Sequence, residues 1–138
     1  MIRPRMEYSH LTPPMGLCYI AAVLEKHGYE VKIIDGMLEQ NIKNLINKVL
    51  DYNPDLVFLT SVTPSFPQVI KISDILKIKK KDTLIVAGGP HPTIMPEESL
   101  SYDSIDLIIY GEGEFTSLEI CKAIEKNRKK PDLKKIKG

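Results

Sequence analysis

Four short apolar runs are spaced along the chain, and each is nearly continuous rather than alternating with polar residues. They cover residues 31–35 (VKIID), 56–61 (LVFLTS), 84–88 (LIVAG) and 107–110 (LIIY). Strands that are covered on both faces have this pattern, as in a parallel sheet packed between helices. The runs therefore predict four buried parallel strands.

Apolar residues between these runs recur at helical spacing, which predicts helices over residues 16–27, 38–50, 68–79 and 114–126. Strands that alternate with helices form βαβ units with right-handed crossovers. We therefore predict an α/β fold with a doubly wound, Rossmann- or flavodoxin-like parallel sheet and helices on both faces. The side chains expected to face the sheet are Leu17, Ile20, Ala21, Leu24, Leu38, Ile42, Leu45, Ile46, Val49, Val69, Ile72, Leu76, Phe115, Leu118, Cys121 and Ile124.

The order of elements departs from this pattern at the start of the chain. The first clear helix precedes the first clear strand, and residues 1–15 contain no run of four apolar residues. A doubly wound sheet normally opens with a central strand, so the pattern predicts that the first strand is missing. Its loss would leave an exposed strand edge, through which two copies of the chain can pair.

The length and the charge of the chain indicate the number of domains and the kind of partner. The chain has 138 residues, which suits one domain, and 19 basic residues balance 18 acidic ones. The basic residues cluster at the end, so we divide the chain into a domain over 1–125 and a basic tail or linker over 126–138. That tail has no aromatic residue to stack on bases, and we expect no nucleic-acid partner.

The cysteines and the hydropathy indicate the compartment. Two cysteines, Cys18 and Cys121, are too few for a disulfide framework and favour a cytoplasmic protein. No apolar run approaches the length of a membrane span, so we expect no membrane partner.

Candidate ligand contacts follow three of the predicted strands, because ligands of open α/β sheets bind beyond the carboxyl ends of the strands. Glycines there allow close approach to the backbone, and hydroxyls offer hydrogen bonds; turns and helix caps are the structural alternatives. A histidine in such a loop is more often a surface residue than a ligand. The candidate positions are Ser61, Val62, Thr63, Pro64, Gly88, Gly89, Pro90, His91, Thr93, Gly111, Glu112, Gly113 and Glu114.

Several kinds of chemistry have no motif in the sequence. There is no phosphate-binding P-loop and no G-x-G-x-x-G after a strand. No cysteine triplet has cluster spacing, and His10, His27 and His91 are not spaced as metal ligands. We predict no catalytic residue and no metal ligand in this chain.

Taken together, the motifs resemble the cobalamin-binding domain found at the front of cobalamin-dependent radical-SAM enzymes, many of them methyltransferases. The similarity covers about residues 11–125 and includes all three candidate loops. The matching stretches are TPPMGL (12–17), AAVL (21–24), GYEV (28–31), DLV (55–57), SVTP (61–64), GGPHPT (88–93) and GEGE (111–114).

The resemblance implies a corrinoid over the carboxyl edge of the sheet. Loop 61–65 would face the lower side of the corrin ring, and loops 88–93 and 111–114 would line the pocket for its nucleotide tail. In such enzymes cobalamin carries a methyl group, while a radical-SAM domain with an iron–sulfur cluster and S-adenosylmethionine acts on the substrate. That domain would be a separate partner, so we expect this chain not to be catalytic alone.

Two departures from the family pattern keep other functions open. The sequence lacks D-x-H-x-x-G, the pattern that supplies a histidine to cobalt in other cobalamin domains, and it lacks a recognisable first strand. One alternative is a binder of another nucleotide-like ligand, such as a flavin. The other is a degenerate or truncated α/β domain that acts in assembly through its open sheet edge.

Overall fold

The sheet has five parallel strands in the order β2-β1-β3-β4-β5. The computed structural model describes residues 1–6, 12–127, 131–133, 136 and 138, and the rest of the predicted basic tail lies outside this part. The strands are β1 (Ile2–Arg3), β2 (Ile34–Asp35), β3 (Leu56–Thr60), β4 (Leu84–Gly88) and β5 (Leu107–Ile108). The helices are α1 (Met15–Lys26), α2 (Ile42–Tyr52), α3 (Phe66–Lys79), α4 (Pro90–Ile94), α5 (Pro96–Leu100) and α6 (Glu114–Lys126).

The prediction that the first strand is missing is wrong. β1 lies inside the sheet between β2 and β3, where Ile2 is opposite Ile34 of β2 and Leu59 of β3. The strand is only two residues long, and Arg3 and Pro4 follow its single apolar residue, so it cannot produce a run of four. The exposed edge expected from its loss is therefore not present at this position.

Helices cover both faces of the sheet, which confirms the predicted fold class. On one face, α2 and α3 pack against Val57 and Leu59 of β3. On the other face, α1 and α6 pack against Phe58 of the same strand and Val86 of β4. Side chains of successive strand residues point to opposite faces, so each strand contributes to both cores.

Two side chains predicted to face the sheet are instead exposed. Leu38 is 67% exposed because residues Gly36–Leu38 form a 3₁₀ turn, and α2 begins only at Ile42, after Asn41 accepts a hydrogen bond from the N–H of Asn44. Phe115 is 77% exposed, because α6 buries Ile120 and Ile124 on its opposite side.

Two short helices, α4 and α5, occupy the region after β4 where the sequence predicted only a loop. Each begins with a proline, whose fixed φ and missing N–H suit the first position of a helix. No helix in the described part of the chain is long and apolar enough to cross a membrane.

Candidate functional site

The loops after β3 and β4 are joined by backbone hydrogen bonds at the carboxyl edge of the sheet. The N–H of Ser61 donates to the C=O of Gly88 at 3.0 Å, and the N–H of His91 donates to the C=O of Ser61 at 3.1 Å. The predicted residues of these two loops are therefore brought together. Because α4 starts immediately after Gly89, the second loop is compact and its backbone is fixed.

Gly89 makes this close approach of the two loops possible. Its φ is +94°, a conformation that side chains rarely adopt. A Cβ at this position would lie 2.7 Å from Oγ1 of Thr60 and 3.0 Å from the carbonyl oxygen of Ser61. Only glycine therefore lets the chain turn from β4 into α4 against the end of β3.

His91 is buried between the two loops rather than exposed on the surface. Its side chain is only 2% exposed, and its ring lies 3.9 Å from the ring of Phe66, between centroids. Nδ1 is 3.3 Å from Oγ1 of Thr63, whereas Nε2 has no hydrogen-bond partner among the described residues and lies 4.0 Å from a carboxylate oxygen of Glu98. The imidazole therefore packs α4 against the start of α3 and contacts the hydroxyl of Thr63.

The third predicted loop is joined to the other two through α4. The N–H of Gly111 donates to Oγ1 of Thr93 at 3.1 Å. Gly113 lies against α1, because a Cβ there would be 3.0 Å from Cδ1 of Ile20. Gly111 has a φ of +74° and open space where a Cβ would stand. All three loops thus form one continuous surface.

Part of this surface is accessible to a ligand. Val62, Thr63, Pro64 and Glu112 are exposed, while Glu114 is half-buried at the start of α6. The hydroxyl of Ser61 is buried at the end of β3, and no hydrogen-bond partner for it lies in the part of the chain that the structure describes. An unsatisfied buried hydroxyl is costly, and it indicates a position where a bound group or water completes the bonding.

Sequence reasoning missed two residues of this site. Phe66 stacks on His91, and Glu98 is the carboxylate nearest to the other end of that ring. Phe66 lies in the loop before the helix predicted over 68–79, whereas the structure begins α3 at Phe66, and a single apolar loop residue gives no signal that it stacks on a histidine. Glu98 belongs to α5, which the pattern did not predict, so no sequence signal connected it with the loop.

The described residues contain no group of three or more histidine, cysteine, aspartate or glutamate side chains that could hold a metal ion. The polar groups on this surface are hydroxyls, backbone amides, the imidazole of His91 and the exposed or half-buried carboxylates of Glu98, Glu112 and Glu114. Such a surface is suited to binding a polar organic ligand over the sheet edge rather than to coordinating an ion.

Comparison with known proteins identifies a family for this surface. The B12 binding domain family matches residues 6–120, which include all three loops. An uncharacterised methyltransferase of Pyrococcus horikoshii is 35% identical over 128 residues, covering 91% of this chain and 27% of that protein. The anaerobic magnesium-protoporphyrin IX monomethyl ester cyclase of Rubrivivax gelatinosus is 30% identical over 129 residues, covering 91% of this chain and 23% of the cyclase.

A third relative acts on a phosphonate according to its name. The cytidylyl-2-hydroxyethylphosphonate methyltransferase of Streptomyces wedmorensis is 29% identical over 136 residues, covering 83% of this chain and 25% of that enzyme. The chain therefore spans about a quarter of the length of these relatives.

Proposed function

Because the chain belongs to the B12-binding domain family, we propose that it is the cobalamin-binding module of a radical-SAM system of the methyltransferase type. The relatives that support this proposal are methyltransferases and a cyclase, and each is about four times as long as the matched segment. The iron–sulfur cluster and S-adenosylmethionine would belong to a part outside this chain. When bound, cobalamin supplies a carrier for a methyl group.

The residues at the carboxyl edge fit a corrinoid. The unpartnered hydroxyl of Ser61 offers one hydrogen bond, and the exposed hydroxyl of Thr63 offers a second at the neighbouring position. The open space beside Gly111 permits close approach of a ligand to the backbone. The Ser61 hydroxyl is the single observation that carries the proposal, because it is a buried hydroxyl of the candidate loops for which the described residues provide no hydrogen-bond partner.

The residues of this chain would bind and orient the cofactor rather than perform a chemical step. In the proposal, loop 61–65 faces the corrin ring, and loops 88–93 and 111–114 line the pocket for its nucleotide tail. His91 would fix the first two loops relative to each other through Phe66 and Thr63. Since the sequence lacks D-x-H-x-x-G, we expect cobalt to receive no histidine from this chain.

The cysteines support a cytoplasmic location for the protein, because both are free thiols.

The alternative function in assembly loses its main support, because it depended on a missing first strand. The flavin alternative uses the same surface, and a competition experiment separates it from corrinoid binding.

Titration with hydroxocobalamin and methylcobalamin tests the proposed function directly. We expect a 1:1 complex that shifts the corrin absorbance spectrum and survives gel filtration, with no displacement by flavin mononucleotide. If the corrinoid spectrum stays unchanged at high micromolar ligand while the flavin binds, the cobalamin proposal is wrong and the alternative replaces it.

Replacement of Ser61 by alanine tests whether the Ser61 hydroxyl forms a hydrogen bond with the bound ligand. We expect the affinity for cobalamin to fall about fivefold, because a net hydrogen bond to a ligand is worth roughly 1 kcal/mol. The free energy of unfolding of the free protein should stay within about 1 kcal/mol of the wild type, since the hydroxyl loses no protein partner. Spectroscopic titration and urea unfolding measure the two quantities.

Ser73→Ala is the matched control. Ser73 is equally buried, but its hydroxyl lies 2.8 Å from that of Ser104, away from the candidate site. We expect this change to lower the free energy of unfolding by about 1 kcal/mol and to leave cobalamin affinity unaltered. The reverse pattern, with Ser61→Ala destabilising and binding normally, would show that the Ser61 hydroxyl is structural.

A further inference from the structure

A cavity of about 210 Å³ lies on the face of the sheet that α2 and α3 cover. Its walls come from the first turns of these two helices and from the stretches that follow β1 and β2. Its volume is what about seven water molecules occupy in the liquid. In the described part of the chain, no residue of the three candidate loops lines it. The apolar part of its wall consists of Ile42, Leu45 and Ile72.

Gly36 brings the stretch after β1 to the cavity. A Cβ at this position would lie 2.7 Å from the carbonyl oxygen of Arg3 and 2.9 Å from the backbone nitrogen of Arg5. A side chain at position 36 would therefore displace the backbone on which Arg5 stands. Because the residue is a glycine, the turn after β2 packs directly against this backbone, and both Gly36 and Arg5 line the cavity.

The guanidinium of Arg5 is held at one end and free at the other. Its Nη1 donates to the carbonyl oxygens of Glu39 and Gln40, at 3.2 Å and 3.3 Å. Among the described residues, Nε and Nη2 have no acceptor. In Arg3, the same two groups bind both carboxylate oxygens of Asp35. Arg5 therefore offers the edge that binds a two-oxygen acceptor, with its position already fixed.

α3 adds a second cation and an amide to the wall. Gln68 and Lys71 are three residues apart, so their side chains are neighbours on one face of the helix. Both are exposed, and neither has a partner among the described residues. The carboxylate in the wall, Glu39, lies 2.6 Å from Nζ of Lys48, which compensates its charge. Two cations on the cavity are thus left without a carboxylate in the described part of the chain.

These donors match a phosphoryl group better than a carboxylate. A phosphate monoester carries nearly two negative charges and three strong acceptor oxygens. Its charge balances Arg5 and Lys71 together, and its oxygens can accept from the free guanidinium edge, the ammonium and the amide of Gln68. A carboxylate has one charge and two oxygens, so the guanidinium edge alone would satisfy it. The apolar part of the wall suits the organic substituent of an ester.

We propose that this cavity binds a small phosphate monoester with an apolar substituent. Arg5 holds two phosphoryl oxygens through Nε and Nη2, and Lys71 and Gln68 hold the third. The substituent lies against the apolar part of the wall. This inference goes beyond the proposed function, because binding requires neither cobalamin nor any residue of the three candidate loops.

Titration of the chain with phenyl phosphate, followed by NMR, tests the proposal. We expect saturable shifts of the Nε–H signal of Arg5 and of the amide signals of Gln68 and Lys71, with a dissociation constant of about 1 mM. Benzoate has the same ring with a single charge and should bind about tenfold more weakly. Equal affinity for benzoate would overturn the assignment to a phosphoryl group, and so would shifts that do not saturate by about 20 mM phenyl phosphate.

Substitution of the two cations tests their roles separately. Arg5→Met and Lys71→Met should each weaken phenyl phosphate binding about tenfold, because each removes charge-assisted hydrogen bonds. Arg5→Lys keeps the charge but lacks the fork, and it should bind almost as weakly as Arg5→Met. All three side chains are exposed on the folded chain, and thermal unfolding checks that each variant folds. Full binding by Arg5→Lys would contradict the role of the free guanidinium edge.

Lys79→Met is the matched control. Lys79 is an exposed lysine on the same helix, about 12 Å further along it, and does not line the cavity. We expect this change to alter the affinity for phenyl phosphate by less than about twofold. A loss equal to that of Lys71→Met would show that the phosphate responds only to the overall charge, and the proposed site would be wrong.

Competition with hydroxocobalamin separates this site from the proposed cofactor site. Phenyl phosphate should bind with the same affinity when hydroxocobalamin is present. Displacement of the phosphate would show that the cavity belongs to the corrinoid site and would overturn the proposal of a separate ligand. If hydroxocobalamin itself fails to bind, the proposed function is wrong, whereas the titrations of the Arg5 and Lys71 variants still decide the phosphate site.

Discussion

Replacing Gly89 with alanine is expected to lower the free energy of unfolding by about 3 kcal/mol or more and to abolish ordered ligand binding at the carboxyl edge. Two costs combine at this position. The backbone has a φ of +94° with ψ of −173°, a region that is nearly restricted to glycine. The added Cβ would also lie 2.7 Å from Oγ1 of Thr60 and 3.1 Å from the backbone nitrogen of Ser61, so β3 and α4 must separate.

Gly111→Ala, in the same site, separates the cost of a positive φ from the cost of the steric contact. Gly111 also has a positive φ, at +74°, but nothing lies within 4 Å of its added Cβ. We expect a loss of only about 1 kcal/mol there, which is the ordinary cost of the left-handed conformation. Urea unfolding of both variants measures the difference. Equal losses for the two glycines would show that the contact with the end of β3 imposes no constraint.

Replacing Arg3 with methionine is expected to destabilise the protein by about 3 kcal/mol, because it leaves a largely buried carboxylate without its cation. The guanidinium pairs with both carboxylate oxygens of Asp35, with Nε 2.8 Å from Oδ1. The side chains of Arg3 and Asp35 are only 11% and 12% exposed. Asp35 also accepts from the N–H of Met37, so the pair fixes the turn after β2 as well as the β1–β2 ladder.

The double variant Arg3→Met, Asp35→Leu should recover part of this loss, since no unpaired charge then remains. Arg5→Met is the matched control, because Arg5 is exposed and, among the described residues, its guanidinium donates to the carbonyl oxygens of Glu39 and Gln40 rather than to a carboxylate. We expect that change to cost less than about 1 kcal/mol. A single Arg3 variant as stable as the Arg5 variant would mean that the buried pair contributes little.

The sequence predicts the sheet wherever a strand is long and apolar. β3 and β4, with five residues each, are predicted to within one residue. β1 is not predicted, because a strand of two residues with an arginine has no periodicity to detect. What makes it a strand is tertiary: a buried isoleucine between two neighbours and an ion pair with Asp35, a residue far along the chain.

The candidate site follows the same division. The glycines and hydroxyls at strand ends are visible in the sequence, because the carboxyl-end rule selects their loops. The burial of His91 is not visible in the sequence, because it depends on Phe66 and on two short helices that lack a helical apolar stripe. The corrinoid titrations test the prediction that the candidate residues of the three loops, within 61–64, 88–93 and 111–114, contact a ligand.

The position of β1 between β2 and β3 also determines when this part of the sheet can be completed during synthesis. Ile2 is synthesised before both of its neighbours, Ile34 and Leu59, so it cannot be paired on both sides until β3 has emerged from the ribosome. Contacts of such sequence separation form late and slowly. Ile2 and Arg3 therefore stay incompletely paired while β2, β3 and their helices form. The pairing of β1 with both β2 and β3 then completes this part of the sheet.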